Sequence, residues 1–195
     1  MRPLRHALPG GLYEISIRIA GEHLLLAPSP KLNDMILGVI GLAQQREGIA
    51  IHAFVVLSNH YHMLVSIPDR AALSGFQQFV NCNIAREVNR LLDRSGAMWE
   101  RRFRAIPVVG DRFTQMWRLR YIMAHGVKEG LVARVDDWPG VSSTPWLRDG
   151  TTISGVWTSH TDETNAKRLK GYVEIPGQFD TIYEIQMTPL PCFAH

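Results

Sequence analysis

The chain has 195 residues, 46% of them hydrophobic and 20% charged, with a net charge of +3. Such a composition fits one water-soluble globular domain, or one domain with a tail, and excludes a fibrous or low-complexity chain. No apolar run reaches the roughly 18 residues of a membrane span, the basic opening "MRPLRHALPGG" lacks a signal peptide's apolar core, and Cys82 and Cys192 form no metal or disulfide pattern.

In chain order, "LYEISIRIAG" (12–21) alternates apolar and polar residues and is expected to be a strand. "SPKLNDMILGVIGLAQQREG" follows as a helix, with Ser29 as N-cap, Pro30 in the first turn and Gly48 as the stop. Its buried stripe is expected to be Leu32, Met35, Ile36, Val39, Ile40 and Ala43. "IAIHAFVVL" and "HYHMLVSI" are two strands joined by a turn at Ser58-Asn59. A second helix is expected from about Ala71 to Arg94, with Phe76, Phe79, Val80, Ile84, Val88 and Leu91 at helical spacing. "MWERRFRAIPVV" supplies a loop and an edge strand. "DRFTQMWRLRYIMAHGVKEG" gives a third helix that ends at Gly126 or Gly130.

The order β-α-β-β-α-β-α predicts an α+β, ferredoxin-like (RRM-like) antiparallel sheet with helices on one face and the other face open for a site. Residues 1–136 are expected to form this domain. Residues 137–195, turn-rich at "DWPGVSSTPWLRDGTT", with a short helix in "DETNAKRLKGY" and an extended end "MTPLPCFAH", are read as a C-terminal extension.

Charge is uneven along the chain. Residues 100–134 carry eight basic side chains against three acidic ones, which points to a polyanion such as nucleic acid or to a solvated helix face. Arg86, Arg90 and Arg94 follow one another at four-residue steps and form a basic line suited to a phosphate backbone.

The segment "LSNHYHMLV" holds the most telling pair. Alternation sends His60 and His62 to one face of the strand, and Tyr61, Met63, Val65 and Ile67 to the helix-covered face. Two adjacent imidazoles form half of a metal site, or are simply a surface pair. On the third helix Met116, Leu119, Ile122 and Met123 make the packing stripe. Tyr121 lies opposite it, with His125 one turn later and Arg118 nearby. His125 is thus a candidate third ligand. Asn59 either steadies a histidine by a hydrogen bond or only forms the turn. His52 matches no pattern, and Glu100 is expected to pair with Arg102 or Arg104.

"VVLSNHYHMLV", "MWERRFRAIPV", "RYIMAHGVKEGLV" and "DWPGVSS" together resemble the single-tyrosine HUH transposases of bacterial insertion sequences, above all the REP-associated tyrosine transposases. The pattern of that family is similar to "MPNHYHLLV … LWQGRF … RYIELNPVRAGLV … YPWSSY". The resemblance spans about residues 12–145, with the motifs in the same order. It implies that His60 and His62 are the HUH pair and Tyr121 the nucleophile, with His125 where relatives carry Asn or Gln. Two departures stand out: "AHGV" replaces "LNPV", and Ser58 replaces a proline.

The resemblance implies an enzyme that nicks and rejoins single-stranded hairpin DNA through a 5′-phosphotyrosine link. It would need Mg²⁺ or Mn²⁺ on His60, His62 and His125, and would work as a monomer or homodimer in a bacterial cytoplasm, at the nucleoid. A phenol of ordinary pKa, about 10, is a weak nucleophile at neutral pH, so a cation at the phosphate suits the chemistry. Arg86, Arg90, Arg101, Arg102, Arg104 and Arg118 are the expected DNA contacts. Trp99 and Trp117 either stack on bases or pack in the core. A binding protein for hairpin DNA or RNA without cleavage, and a phosphodiesterase that uses water, remain the alternatives.

Overall fold

The computed structural model describes residues 7–193. The first six residues of the basic N-terminal stretch, and the last two of the extended end, lie outside them. Strand β1 (Leu12–Arg18) is followed by helix α1 (Pro30–Glu47), strands β2 (Ala50–Val56) and β3 (His60–Ser66), helix α2 (Arg70–Leu91) and strand β4 (Arg104–Pro107). The four strands form one antiparallel sheet in the order β2-β3-β1-β4, with β4, the expected edge strand, at the edge. This is the mixed α+β architecture expected from the element order.

Helix α1 begins where its sequence says it should. The Ser29 hydroxyl accepts from the Leu32 amide, Pro30 opens the first turn, and Gly48 ends it in the left-handed region at φ 64°. Helix α2 starts one residue earlier than expected because the Asp69 carboxylate caps the Ala72 amide. Leu32, Ile36, Val39, Ile40 and Ala43 of α1 meet Phe76, Val80, Ile84 and Val88 of α2 over the sheet face lined by Ile15, Ile17, Tyr61, Met63 and Val65.

Strand β2 carries a bulge. Ile51 pairs with Val65 and Ala53 with Leu64, so His52 is the extra residue. The bulge resets the alternation. Ile51, Phe54 and Val56 face α1 and α2, while Ala53, Val55 and Leu57 face the other side. His52 is buried there. Its Nδ1 donates to the Thr188 carbonyl (2.9 Å) and its Nε2 contacts the Ser66 hydroxyl (2.8 Å), so its role is structural.

The opposite face is only partly open. Helix α3 (Arg112–Met123) lies over β2 and β3, with Ile122 buried among Ala53, Val55, Leu57 and Leu64. It is shorter than expected. Ala124 leaves helical geometry at ψ 5°, and a separate single turn α4 (His125–Lys128) follows, after which Gly130 takes φ 70°. Of the expected stripe only Ile122 is fully buried, and Met116 is exposed.

Residues 137–193 are more ordered than a turn-rich tail. They form helix α5 (Thr144–Asp149), a hairpin of β5 (Ile153–Thr158) and β6 (Asp180–Ile185), and helix α6 (His160–Lys167) between the strands. The hairpin lies on α1, where a Cβ on Gly38 would collide with the Val156 carbonyl and one on Gly155 with that of Asp34. The chain then runs along β2, where the Thr188 amide donates to the Ile51 carbonyl. It ends against α3, where the Cys192 amide donates to Gln115.

Candidate nucleic-acid site

The site is built where three local features meet on the open face. The register of β3 against β1 sets His60 opposite Arg18 and His62 opposite Ser16. The break after α3 brings His125 onto the pair as the first residue of α4. Ligand-capable nitrogens of His60, His62 and His125 lie within 4.8 Å of one another. Tyr121, one turn before His125, completes the group, with ring centroids 5.0 Å from His125 and 5.7 Å from His62.

Hydrogen bonds fix the rings. Asn59 Oδ1 accepts from His60 Nδ1 (2.6 Å), so the turn residue also orients a histidine and leaves His60 Nε2 with its lone pair. The 2.9 Å contact between His60 Nε2 and His125 Nε2 is then donated by His125. His125 Nδ1 is buried without a hydrogen-bond partner. Burial and the neighbouring imidazoles hold both His60 and His125 down to about 4, so both rings are neutral at pH 7. Close, neutral imidazoles in a half-buried cleft are a donor set that suits a divalent metal ion, which would displace the proton now shared by two of them.

Glu14 was not evident from the sequence. It is buried on β1, with Oε1 accepting from His62 Nδ1 at 3.1 Å and Oε2 accepting from Arg118 at 2.9 Å. Burial pushes its carboxyl up, but the hydrogen bond from His62 and the electrostatic pull of its neighbours, Arg118 among them, outweigh it and hold it below the usual range. Strand alternation in "LYEISIR" already sets Glu14 on the face of the histidine pair; only the pairing of β1 with β3 makes it a neighbour. Lys128 was counted only as charge. Its Nζ donates to Tyr121 Oη at 3.3 Å and lies 4.6 Å from that ring's centroid.

The three histidines, Tyr121 and Lys128 line a cleft of about 520 Å³ together with Arg18, Arg101, Arg102, Arg104 and Glu129. Arg118 instead holds Glu14 and lies over Trp117. Glu100 pairs with Arg101 at 3.3 Å, rather than with Arg102 or Arg104. Arg86 and Arg90 are not brought to this cleft. They line a second one of about 440 Å³ with Arg168 and His160 of the C-terminal segment, on the helix-covered side. Arg94 donates to Asn89. Trp99 packs against Tyr61 and donates to the Asn81 carbonyl, so it belongs to the core, while Trp117 is exposed. Among the described residues, no helix is long and apolar enough to cross a membrane.

Comparison with known proteins finds one family and similar folds. The model of the family described as "Transposase IS200 like" matches residues 28–125, half of the chain. A solved REP-associated tyrosine transposase, bound to a REP hairpin, is similar at 21% identity and a TM-score of 0.60, covering 77% of this chain and 87% of its own. A Deinococcus radiodurans protein described as a transposase is similar at 15% identity over 63% of this chain and 93% of its own, with a TM-score of 0.40. No curated protein matches.

Proposed function

This chain belongs to the family of IS200-like transposases, and from that premise we propose that it cuts and rejoins single-stranded DNA with Tyr121 as the nucleophile. The observation that carries the reading is one cleft shared by a tyrosine, three converging imidazoles and the cations Arg101, Arg102, Arg104 and Lys128. The solved relative is bound to a REP hairpin, which supports a hairpin with unpaired flanks as the substrate class here.

In this reading Tyr121 Oη attacks a backbone phosphorus and forms a 5′-phosphotyrosine bond as the bond to the 3′ oxygen breaks. The phenol loses its proton, the departing strand gains one, and a 3′-OH is left. Attack by another 3′-OH reverses the step and joins a new end, so no nucleotide cofactor is consumed. Lys128 donates to the phenol oxygen, and its charge suits the anion that forms there. Arg101, Arg102 and Arg104 hold the phosphates on either side. Asn59 and Glu14 fix the tautomers of His60 and His62, so that both present an unprotonated nitrogen. His60, His62 and His125 would hold a divalent cation, Mg²⁺ or Mn²⁺, which would supply Lewis-acid polarisation of the scissile phosphate.

The test is incubation of the protein with labelled hairpin DNA and Mn²⁺ or Mg²⁺, read on a denaturing gel. A denaturation-resistant adduct is expected, lost in Tyr121→Phe, in His60→Ala/His62→Ala and on chelation. Cleavage without an adduct would instead identify a phosphodiesterase that uses water. Binding with neither would leave a hairpin-binding protein.

A further inference from the structure

Two aromatic rings on α3 have no role in packing. Phe113 is 75% exposed and Trp117 52% exposed. With Tyr121 they recur every four residues, which winds them along one side of the helix. The packing of α3 is met elsewhere, by Ile122 and Leu119 against the sheet. A row of large exposed apolar groups is unusual on a protein surface and marks a contact. This row is flat and aromatic rather than aliphatic, and cations accompany it. The planes of Trp117 and Tyr121 are 15° apart with centroids at 5.9 Å. The Arg118 guanidinium lies 5.2 Å from the Trp117 centroid.

We propose that Phe113 and Trp117 form a stacking platform for the unpaired bases of a single-stranded DNA whose backbone enters the cleft at Tyr121. The proposal rests on the reading of that cleft as the DNA site. The row is continuous with it, since its last ring is Tyr121 itself, and the arginines beside it complement a phosphate backbone. Eight residues of helix span about 12 Å, enough for roughly three bases at about 3.4 Å per nucleotide. Any base has a face to stack and a paired base does not offer it, so the platform selects strand state rather than sequence.

Binding without cleavage isolates the effect. A Tyr121→Phe background keeps the ring and removes the nucleophile. Fluorescence anisotropy without metal then compares a labelled oligothymidine with an abasic oligonucleotide of equal length. Trp117→Ala is expected to weaken oligothymidine binding on the order of 10-fold and Phe113→Ala by less. Abasic binding stays unchanged and Trp117→Phe recovers most of the loss. Both side chains are exposed, so thermal midpoints stay level. Unchanged oligothymidine binding, or equal weakening of both ligands, overturns the platform while leaving the cleavage reading intact. Failure of the parent protein to bind either ligand overturns the platform. The adduct assay on the unsubstituted protein with hairpin DNA and metal decides the cleavage reading separately: no adduct there, alongside base-dependent loss here, overturns cleavage and leaves the platform standing.

Discussion

Glu14 is where a single side chain decides most about the site. Its carboxylate ties His62 on one oxygen and Arg118 on the other, from a position that is 4% exposed. Replacing it by glutamine removes the charge and loosens the ring it orients. Glu14→Gln is therefore expected to weaken Mn²⁺ binding by about 10- to 100-fold, measured by competition with a chelating dye; unchanged affinity would mean that His62 needs no orienting partner. His52 carries a different consequence. Burial holds its pKa below the usual value of about 6.5, against the pull of the Thr188 and Pro189 carbonyls. Above that pH folded and unfolded chains both carry it neutral, and its stabilising contribution is complete. As pH falls through about 6.5 the unfolded chain takes up a proton that the folded one resists, and stability is lost. Chemical denaturation between pH 7.5 and 5 (about one unit either side of the ordinary histidine range) is expected to show a decline that His52→Gln reduces.

Helices α1 and α3 show what a pattern of residues can and cannot specify. In α1 the cap, the stripe and the stop coincide, and each was legible because it depends on local chemistry alone. Its two interior glycines, Gly38 and Gly41, each cost about 1 kcal/mol relative to alanine in a free helix. Their reason lies 115 residues or more along the chain, in the close approach of β5 and Tyr183. That contact is invisible to periodicity. Gly38→Ala is expected to destabilise by about 1–3 kcal/mol through overpacking, with hydrogen exchange rising first in residues 153–185. Uniform exchange across the chain would show that the hairpin is not a separate unit of stability. In α3 only Ile122 of the expected stripe is fully buried, with Leu119 and Met123 half-buried, and Met116, expected inside, is exposed. Gly126 or Gly130 was the expected stop, but the helix already breaks at Ala124, and a single turn carries His125 and Gly126 beyond it.

For the molecule as a whole, the basic residues were easier to count than to place. The excess of positive charge in residues 100–134 was plain, and the cleft gathers Arg101, Arg102, Arg104 and Lys128 from it. Arg86 and Arg90 looked equivalent in sequence but lie with Arg168 on the helix-covered side. Sheet topology, not spacing, separates the two groups. Arg101→Ala and Arg102→Ala are expected to weaken single-strand binding alike for every sequence and to lower the slope of log K against log salt by about one each. Arg86→Ala with Arg90→Ala is expected to leave short single strands bound at the Tyr121 cleft unaffected; an equal loss would mean that one DNA molecule spans both clefts. The histidine pair, the tyrosine and His125 were legible because strand and helix periodicities each put their residues on a stated face. Their convergence depends on β1–β3 register and on the α3 break. The central claim is that Tyr121 becomes covalently joined to DNA. Its most direct test is peptide mass mapping after reaction of the whole protein with hairpin DNA and Mn²⁺. The account predicts that the peptide containing Tyr121, and no other, carries a nucleotide through its 5′ phosphate. Cleaved DNA with an unmodified Tyr121 peptide, or a nucleotide on another residue, would contradict it.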